Sequence, residues 1–396
     1  MNKVPTLGVE LLTEMLQIDS QIKNIEGINK MQNYCAQLLK ELGFEIQFIK
    51  NTQINTAPLL VAKKWGSDKE NVITFVGHSD VVTSTQNVPF KIEDHIAYGA
   101  GVADDKGGLV VLFRTLQKFL SKTSTHSMTL QVVISPNEET GSIGFQNLFA
   151  DIGKESRYVL GMEPALQCGS LINSRSGNRW YQLNIKGIEA HAGRFGHPFI
   201  NAAHKLGNII AKLDELSDES LMRRVNIGSF RGGNGSFNTI CGVAEAKIDM
   251  RFKTFECRDM LHYRFENILK ETYANCPYSQ RESEAYYSVE DDCPPLSFKE
   301  DENFDYLYEV ISRIEGQPVA GKHAGGAADI NYFSTRENFC IDGLGPIGGG
   351  MHTRGEFIDT LTLETRSTAI AEFLNRQNLS KWFPRSELCQ TNVLTN

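Results

Sequence analysis

The sequence predicts an α/β protein: a mixed, mostly parallel sheet with helices on both faces, interrupted by a smaller α+β domain. Three observations carry that expectation. Between residues 44 and 163, β-branched apolar runs alternate with helix-length amphipathic segments, the order that builds parallel sheets. From residue 179 the order becomes strand, helix, strand, strand, helix, strand, the split pattern of ferredoxin-like folds. After residue 296 helix-length segments return between glycine-rich loops, so the small domain is inserted, not appended. The expected boundaries are 1–176 and 291–396 for the large domain and 177–290 for the insertion.

The elements follow in order. Residues 7–18 and 27–42 carry apolar residues at helical spacing, and the second run stops at Gly43, a residue suited to the left-handed turn after a helix. Phe44–Ile49 alternates like a strand and is expected to pair with the run Pro58–Lys63. Val72–His78 is continuously apolar until its end, as a strand buried on both faces should be. A loop ending in Tyr98-Gly-Ala-Gly-Val-Ala-Asp-Asp-Lys-Gly-Gly108 leads into a helix expected at Leu109–Leu120. Thr129–Ser135 reads as another buried strand, followed by Pro136-Asn-Glu-Glu-Thr-Gly141, and Tyr158–Met162 as a third, followed by Glu163. In the insertion, strands are expected at 179–187, 224–230, 241–252 and 283–289, and helices at 198–216 and 257–272. Helices at 301–315 and 361–375 complete the large domain.

Composition narrows the function. With 396 residues, 41% apolar and 22% charged, the chain is long enough for two cores and too apolar for wholesale disorder. A net charge of −8 gives no basic field, so neither nucleic acid nor an anionic membrane is an expected partner. No stretch approaches the roughly 18 apolar residues of a transmembrane helix, and the first residues lack the pattern of a signal peptide. The eight cysteines are scattered without a Cys-x-x-Cys pair, which argues against a zinc ribbon or disulfide scaffold and for reduced thiols in a cytoplasm.

Five stretches supply metal-ligand residue types: His78, Asp104 or Asp105, Glu138–Glu139, Glu163 and His352. Most of them follow a strand, and ligand sites in open α/β sheets lie at the carboxyl ends of strands. Two imidazoles and three carboxylates suit zinc, with cobalt or manganese as substitutes. Five ligands exceed what one open catalytic zinc needs and serve two ions if one carboxylate bridges them. Asp80, two residues after His78, is expected to emerge beside it on an extended backbone and to orient the imidazole. Glu138 and Glu139 would point to opposite sides of an extended backbone, so one can ligate while the other stays free as a general base.

Gly77-His-Ser-Asp80, Ala103-Asp-Asp-Lys-Gly-Gly108, Asn137-Glu-Glu-Thr-Gly141, Gly161-Met-Glu163 and Gly349-Gly-Met-His-Thr-Arg-Gly-Glu356 resemble, in order and spacing, the motifs of a co-catalytic zinc hydrolase family. Its members include bacterial glutamate carboxypeptidase, succinyl-diaminopimelate desuccinylase, acetylornithine deacetylase and aminoacylase-1, and the similarity runs from about residue 8 to 376. The resemblance implies a zinc-exopeptidase-type catalytic domain with an inserted lid and dimerisation domain. It implies two zinc ions per subunit, with Asp104 bridging, His78 and Glu163 completing one ion, and Glu139 and His352 the other. It makes Glu138 the general base and Asp80 the partner of His78. Gly187-Ile-Glu-Ala-His-Ala-Gly193 resembles the family turn whose histidine, here His191, reaches the active site of the other copy in a homodimer. Asn238 and Arg251 match the pair that contacts substrate, with Arg251 on the α-carboxylate; Cys241 stands where many relatives carry proline. The implied activity is release of a C-terminal amino acid from a small peptide or an N-acyl amino acid. The alternatives are a biosynthetic N-acyl-diamino-acid deacylase and a non-catalytic, peptide-binding relative.

Overall fold

In the computed structural model, which describes residues 7–122, 125–272 and 275–379, the chain packs as two compact units. Among the described residues, the larger holds those within 7–173, 298–323 and 328–379, and the smaller those within 174–297 with 324–327. The junctions thus fall a few residues outside the expected 177–290, and the turn at 324–327, which the sequence reading left in the large domain, packs with the small one. Cys389 lies outside the described residues.

The larger unit is built on a six-stranded sheet in the order Glu45–Ile49, Leu59–Lys64, Met128–Ser135, Asp68–His78, Ser156–Gly161, Phe339–Ile341. The first two pairings are antiparallel and the remaining three parallel. From Val72 to His78 the central strand is buried throughout, as its unbroken apolar run demands when parallel neighbours and helices cover both faces. The core around it joins Phe75, Leu130 and Leu160 of the sheet to Phe113 and Leu116 of helix Lys106–Lys122, Ile370 and Phe373 of helix Leu361–Leu379, and Met31 of helix Ile25–Glu41.

Register positions the chemistry. His78 lies opposite Ser135 and Val76 opposite Gly161, so three parallel strands end at one level. Glu138 follows the second strand by three residues and Glu163 the third by two. A separate ribbon pairs Phe357 with Tyr98, which sets the His352 loop beside the loop 99–105. The peptide bond between Asp104 and Asp105 is cis.

Helix Lys106–Lys122 begins three residues before the expected start, taking in Gly107 and Gly108. A Cβ on Gly108 would lie 2.0 Å from the Met162 carbonyl, so the helix end can approach the strand end that carries Glu163 only through glycine. The glycines that read as a loop are a packing requirement.

The smaller unit is a four-stranded antiparallel sheet in the order Arg224–Gly232, Val243–Phe252, Gly177–Lys186, Glu284–Cys293. Helices Ala202–Asp214 and Phe255–Glu271 supply Leu206, Ile209 and Phe265 to a core with Tyr181, Leu183 and Ile248. That order is ferredoxin-like. An additional two-residue ribbon pairs Ala190–His191 with Thr239–Ile240.

Candidate metal centre

The five ligand-type residues form two groups that share one carboxylate. His78, Asp104 and Glu163 make the first, and Asp104, Glu139 and His352 the second, with one ligand atom from each residue lying within 4.8 Å of the others in its group. His78 Nε2 is 2.8 Å from Asp104 Oδ1 and 3.5 Å from Glu163 Oε1. His352 Nε2 is 3.2 Å from Asp104 Oδ2 and 3.0 Å from Glu139 Oε2. The two oxygens of Asp104 therefore face different histidines, the disposition of a bridging carboxylate. Asp105, its neighbour, turns away: Oδ2 accepts from the His78 backbone N–H at 3.1 Å.

Asp80 does more than accompany His78. The closest acceptor to His78 Nδ1 is the Asp80 backbone carbonyl at 3.0 Å, with the carboxylate at 3.4 Å. That contact keeps a proton on Nδ1 and turns Nε2 toward the acidic groups. The Asp80 carboxylate instead accepts the backbone N–H groups of Glu138 and Glu139, each at 3.1 Å. These glutamates lie on a 3₁₀ turn, Glu138–Thr140, not on the extended backbone expected from sequence. The cause is the cap: with Asp80 holding both N–H groups, the chain turns tightly after Ser135. Glu139 enters the second group while Glu138 belongs to neither.

Electrostatics follow from burial among like charges. Burial pushes the Glu138 carboxyl well above the usual range against the pull of His78, and raises Glu139 to about 7. Asp104 goes the other way: burial opposes ionisation, but the hydrogen bonds from His352 and His78 hold it below the ordinary carboxylate range. His78 is pulled down by burial yet held well above its usual value by Asp104 and Asp80. The hydrogen bond that His352 donates to Asp104, with Glu139 alongside, raises its imidazole to about 9. His352 itself sits in the left-handed region at φ 63°, a conformation uncommon outside glycine that marks a constrained loop.

The donor set fits divalent cations. Nitrogen and oxygen donors converge with an excess of negative charge, and Glu139 Oε1 is buried without a hydrogen-bond partner, an oxygen that a cation would satisfy.

Two buried acids take part that sequence reasoning gave no role. Glu356 is 2% exposed and accepts the backbone N–H groups of Gly101, Ala103 and Asp104. Asp329 is buried against Ser142 and Ser135 near Glu138, and burial raises its carboxyl to about 6. A glutamate four residues past His352 in a glycine-rich loop was the available signal for the first.

His191, Asn238 and Arg251 belong to the smaller unit. His191 is exposed opposite Thr239, its Nδ1 accepting from Gly193 N–H at 3.1 Å. The Asn238 carbonyl accepts Ala192 N–H at 2.8 Å, so one ribbon holds the histidine turn and the asparagine loop together. Cys241, in place of proline, leaves that ribbon intact and donates Sγ–H to the Val243 carbonyl. Arg251 gives Nε to Asp249 at 2.9 Å, and Asp249 also accepts Trp180 Nε1 at 3.0 Å.

Comparison with known proteins finds the following likenesses. The family model described as peptidase family M20/M25/M40 matches residues 74–376. Carboxypeptidase G2 of Pseudomonas sp. (strain RS-16) is 26% identical over 365 residues, covering 90% of this chain and 86% of that protein. A succinyl-diaminopimelate desuccinylase of Hahella chejuensis (strain KCTC 2396) is 27% identical over 371 residues, covering 89% and 91%. Among solved structures, aminopeptidase PepT from Bacillus cereus ATCC 10987 superposes with a TM-score of 0.72 at 20% identity, covering 93% of this chain and 97% of that one. The Bacillus subtilis YXEP protein, described as a dinuclear metal-binding peptidase of the M20 family, gives 0.65 at 17% identity, covering 94% and 98%.

Proposed function

The chain belongs to peptidase family M20/M25/M40 and is thereby a hydrolase of amide bonds; from that premise we propose that it releases a C-terminal amino acid from a small peptide or N-acyl amino acid, using two divalent ions, zinc in the first instance. One observation carries the reading: Asp104 offers each of its oxygens to a different histidine–carboxylate pair, with Glu138 left free beside them.

His78, Asp104 and Glu163, with Glu139 and His352, would hold a divalent pair, which would polarise the amide carbonyl and acidify a water molecule. The remaining work falls to side chains. Glu138 takes the proton of the attacking water and delivers it to the leaving amine. Asp80 fixes the tautomer of His78 and the turn that carries Glu138. Arg251 keeps its Nη groups for a substrate carboxylate while Asp249 holds its Nε, and Asn238 hydrogen-bonds the same substrate. His191 serves the partner copy in a homodimer, donating to the developing oxyanion.

A second reading, removal of a succinyl or acetyl group from a diamino acid, is favoured by the 27% identity to the Hahella desuccinylase over 91% of its length. The test is a hydrolysis screen of N-acyl amino acids, dipeptides and N-succinyl-diamino acids by chelator-stripped protein, with and without added zinc, cobalt or manganese. Metal-dependent release of free C-terminal amino acids supports the first reading, and turnover confined to succinylated or acetylated diamino acids selects the second. Hydrolysis unchanged in demonstrably metal-free protein would overturn both.

A further inference from the structure

We propose that Glu356 is a positioning residue whose carboxylate winds the loop 99–105 so that Asp104 presents one oxygen to each of the two histidines, His78 and His352. The proposal rests on the reading of the paired groups as a divalent-metal centre.

Glu356 Oε2 accepts Gly101 N–H at 2.8 Å, and Oε1 accepts Ala103 N–H at 2.8 Å and Asp104 N–H at 3.0 Å. Its own carbonyl accepts Gly99 N–H at 3.2 Å. Residue 356 therefore contacts four backbone amides between positions 99 and 104. A carboxylate can be this buried only if donors replace water around it, and three backbone N–H groups do so with charge-assisted hydrogen bonds. Conversely, those amides converge because an anion sits among them, and Gly101 supplies the left-handed turn, at φ 74°, that lets successive N–H groups face one point.

Both oxygens of Glu356 are committed to backbone, so it is not a ligand itself. Its effect reaches the ions through Asp104. Fixing the Asp104 N–H fixes the origin of a side chain whose Oδ1 lies 2.8 Å from His78 Nε2 and whose Oδ2 lies 3.2 Å from His352 Nε2. Glu356 also closes the loop that bears His352, and the next residue, Phe357, pairs with Tyr98. One side chain thereby sets the spacing between the bridging carboxylate and the histidine of the second group.

Three measurements on the full chain test this. In chelator-stripped wild type, hydrogen exchange of the Gly101, Ala103 and Asp104 amides should be slow before any ion is added, because Glu356 and not the metal holds them. Calorimetric titration of stripped E356Q with zinc should show affinity weakened about 10–100-fold, the usual effect of altering a residue that supports a ligand. In E356Q one of the three amides meets an NH₂ group instead of an oxygen, while E356D, which keeps the charge on a shorter arm, should fall between E356Q and wild type. Steady-state kinetics should show the loss in kcat with KM little changed, since Asn238 and Arg251 are untouched.

A folded E356Q that binds zinc as wild type does, or amides that exchange freely until zinc is added, overturns the positioning role and leaves the metal-centre reading standing. A wild type that binds no divalent ion overturns both. Should E356Q fail to fold, the exchange measurement on wild type decides.

Discussion

Glu138 and Glu139 are adjacent, chemically identical and differently placed, and the difference lies in the turn that Asp80 caps. The roles assigned to them are separable. Glu138→Ala should lower kcat by about 10²–10⁴-fold, the usual cost of removing a general base, while calorimetry still counts two zinc ions per chain. If the variant loses an ion, the two glutamates exchange roles. His352 gives a pH prediction with a definite sign. In metal-free protein its proton is held up to about pH 9 by Asp104 and Glu139. A ligating imidazole must be neutral, and His78 is likewise held protonated, so zinc uptake at pH 7 should release at least one proton. Apparent affinity should then rise as pH increases from 7 through 9. Titration in buffers of different ionisation enthalpy measures the release, and no buffer dependence would contradict the assignment. The same shift, being upward, stabilises the metal-free fold fully below the ordinary histidine value of 6.5 and is lost as pH rises through about 9.

At the scale of elements, two positions separate stability from site geometry. In Gly108→Ala the new Cβ meets Met162 carbonyl and Asp105 Oδ1, each 2.0 Å away. Relief requires helix Lys106–Lys122 to back away from the strand that leads to Glu163. We expect a loss of about 1–3 kcal/mol, the scale of overpacking, together with weaker zinc binding. Asp301→Ala removes the cap of helix Glu302–Glu315, where Oδ1 accepts from Asn303 and Phe304 N–H. The buried Tyr158 hydroxyl, which donates to the same carboxylate at 3.1 Å, loses its acceptor as well, so the change should cost about 1–3 kcal/mol and leave activity per folded molecule unchanged. Thermal melts and zinc titrations on both variants check the contrast, and equal zinc affinity in Gly108→Ala would refute the link to Glu163.

At the scale of the molecule, the open question is whether one chain makes a complete site. His191 and Glu138 lie in different units, and the proposed homodimer exchanges the histidine between copies. His191→Ala and Glu138→Ala proteins should each be inactive alone. Dissociated, mixed and reassembled, they should recover about a quarter of wild-type activity, because random pairing makes half the dimers mixed and each mixed dimer keeps one intact site. No recovery after verified subunit exchange would confine His191 to its own chain or to a structural role. A turn histidine of purely structural function would instead show lower stability and nearly intact kcat.

The two-unit order, the buried strand Val72–His78 and the positions of five ligand-type residues are legible in the sequence, because each is written in local spacing: apolar runs, alternation, and polar residues just past strand ends. Gly107 and Gly108 misled because propensity speaks for a loop, whereas the packed helix needs the absent side chains. The turn at Glu138–Thr140 and the clasp of Glu356 on residues 101–104 were hidden for another reason. Each depends on a carboxylate meeting backbone amides 58 to 255 residues away in sequence. A side chain's type announces that it can accept such bonds, but only the folded chain decides which amides reach it. Sequence determined which chemical groups this protein carries and on which elements. Spacing alone left Asp104 or Asp105 open, and only the family resemblance pointed to Asp104. In the tertiary structure Asp104 stands between the histidines while Asp105 meets the His78 backbone, a matter of direction in space that adjacent residues of one type do not signal locally.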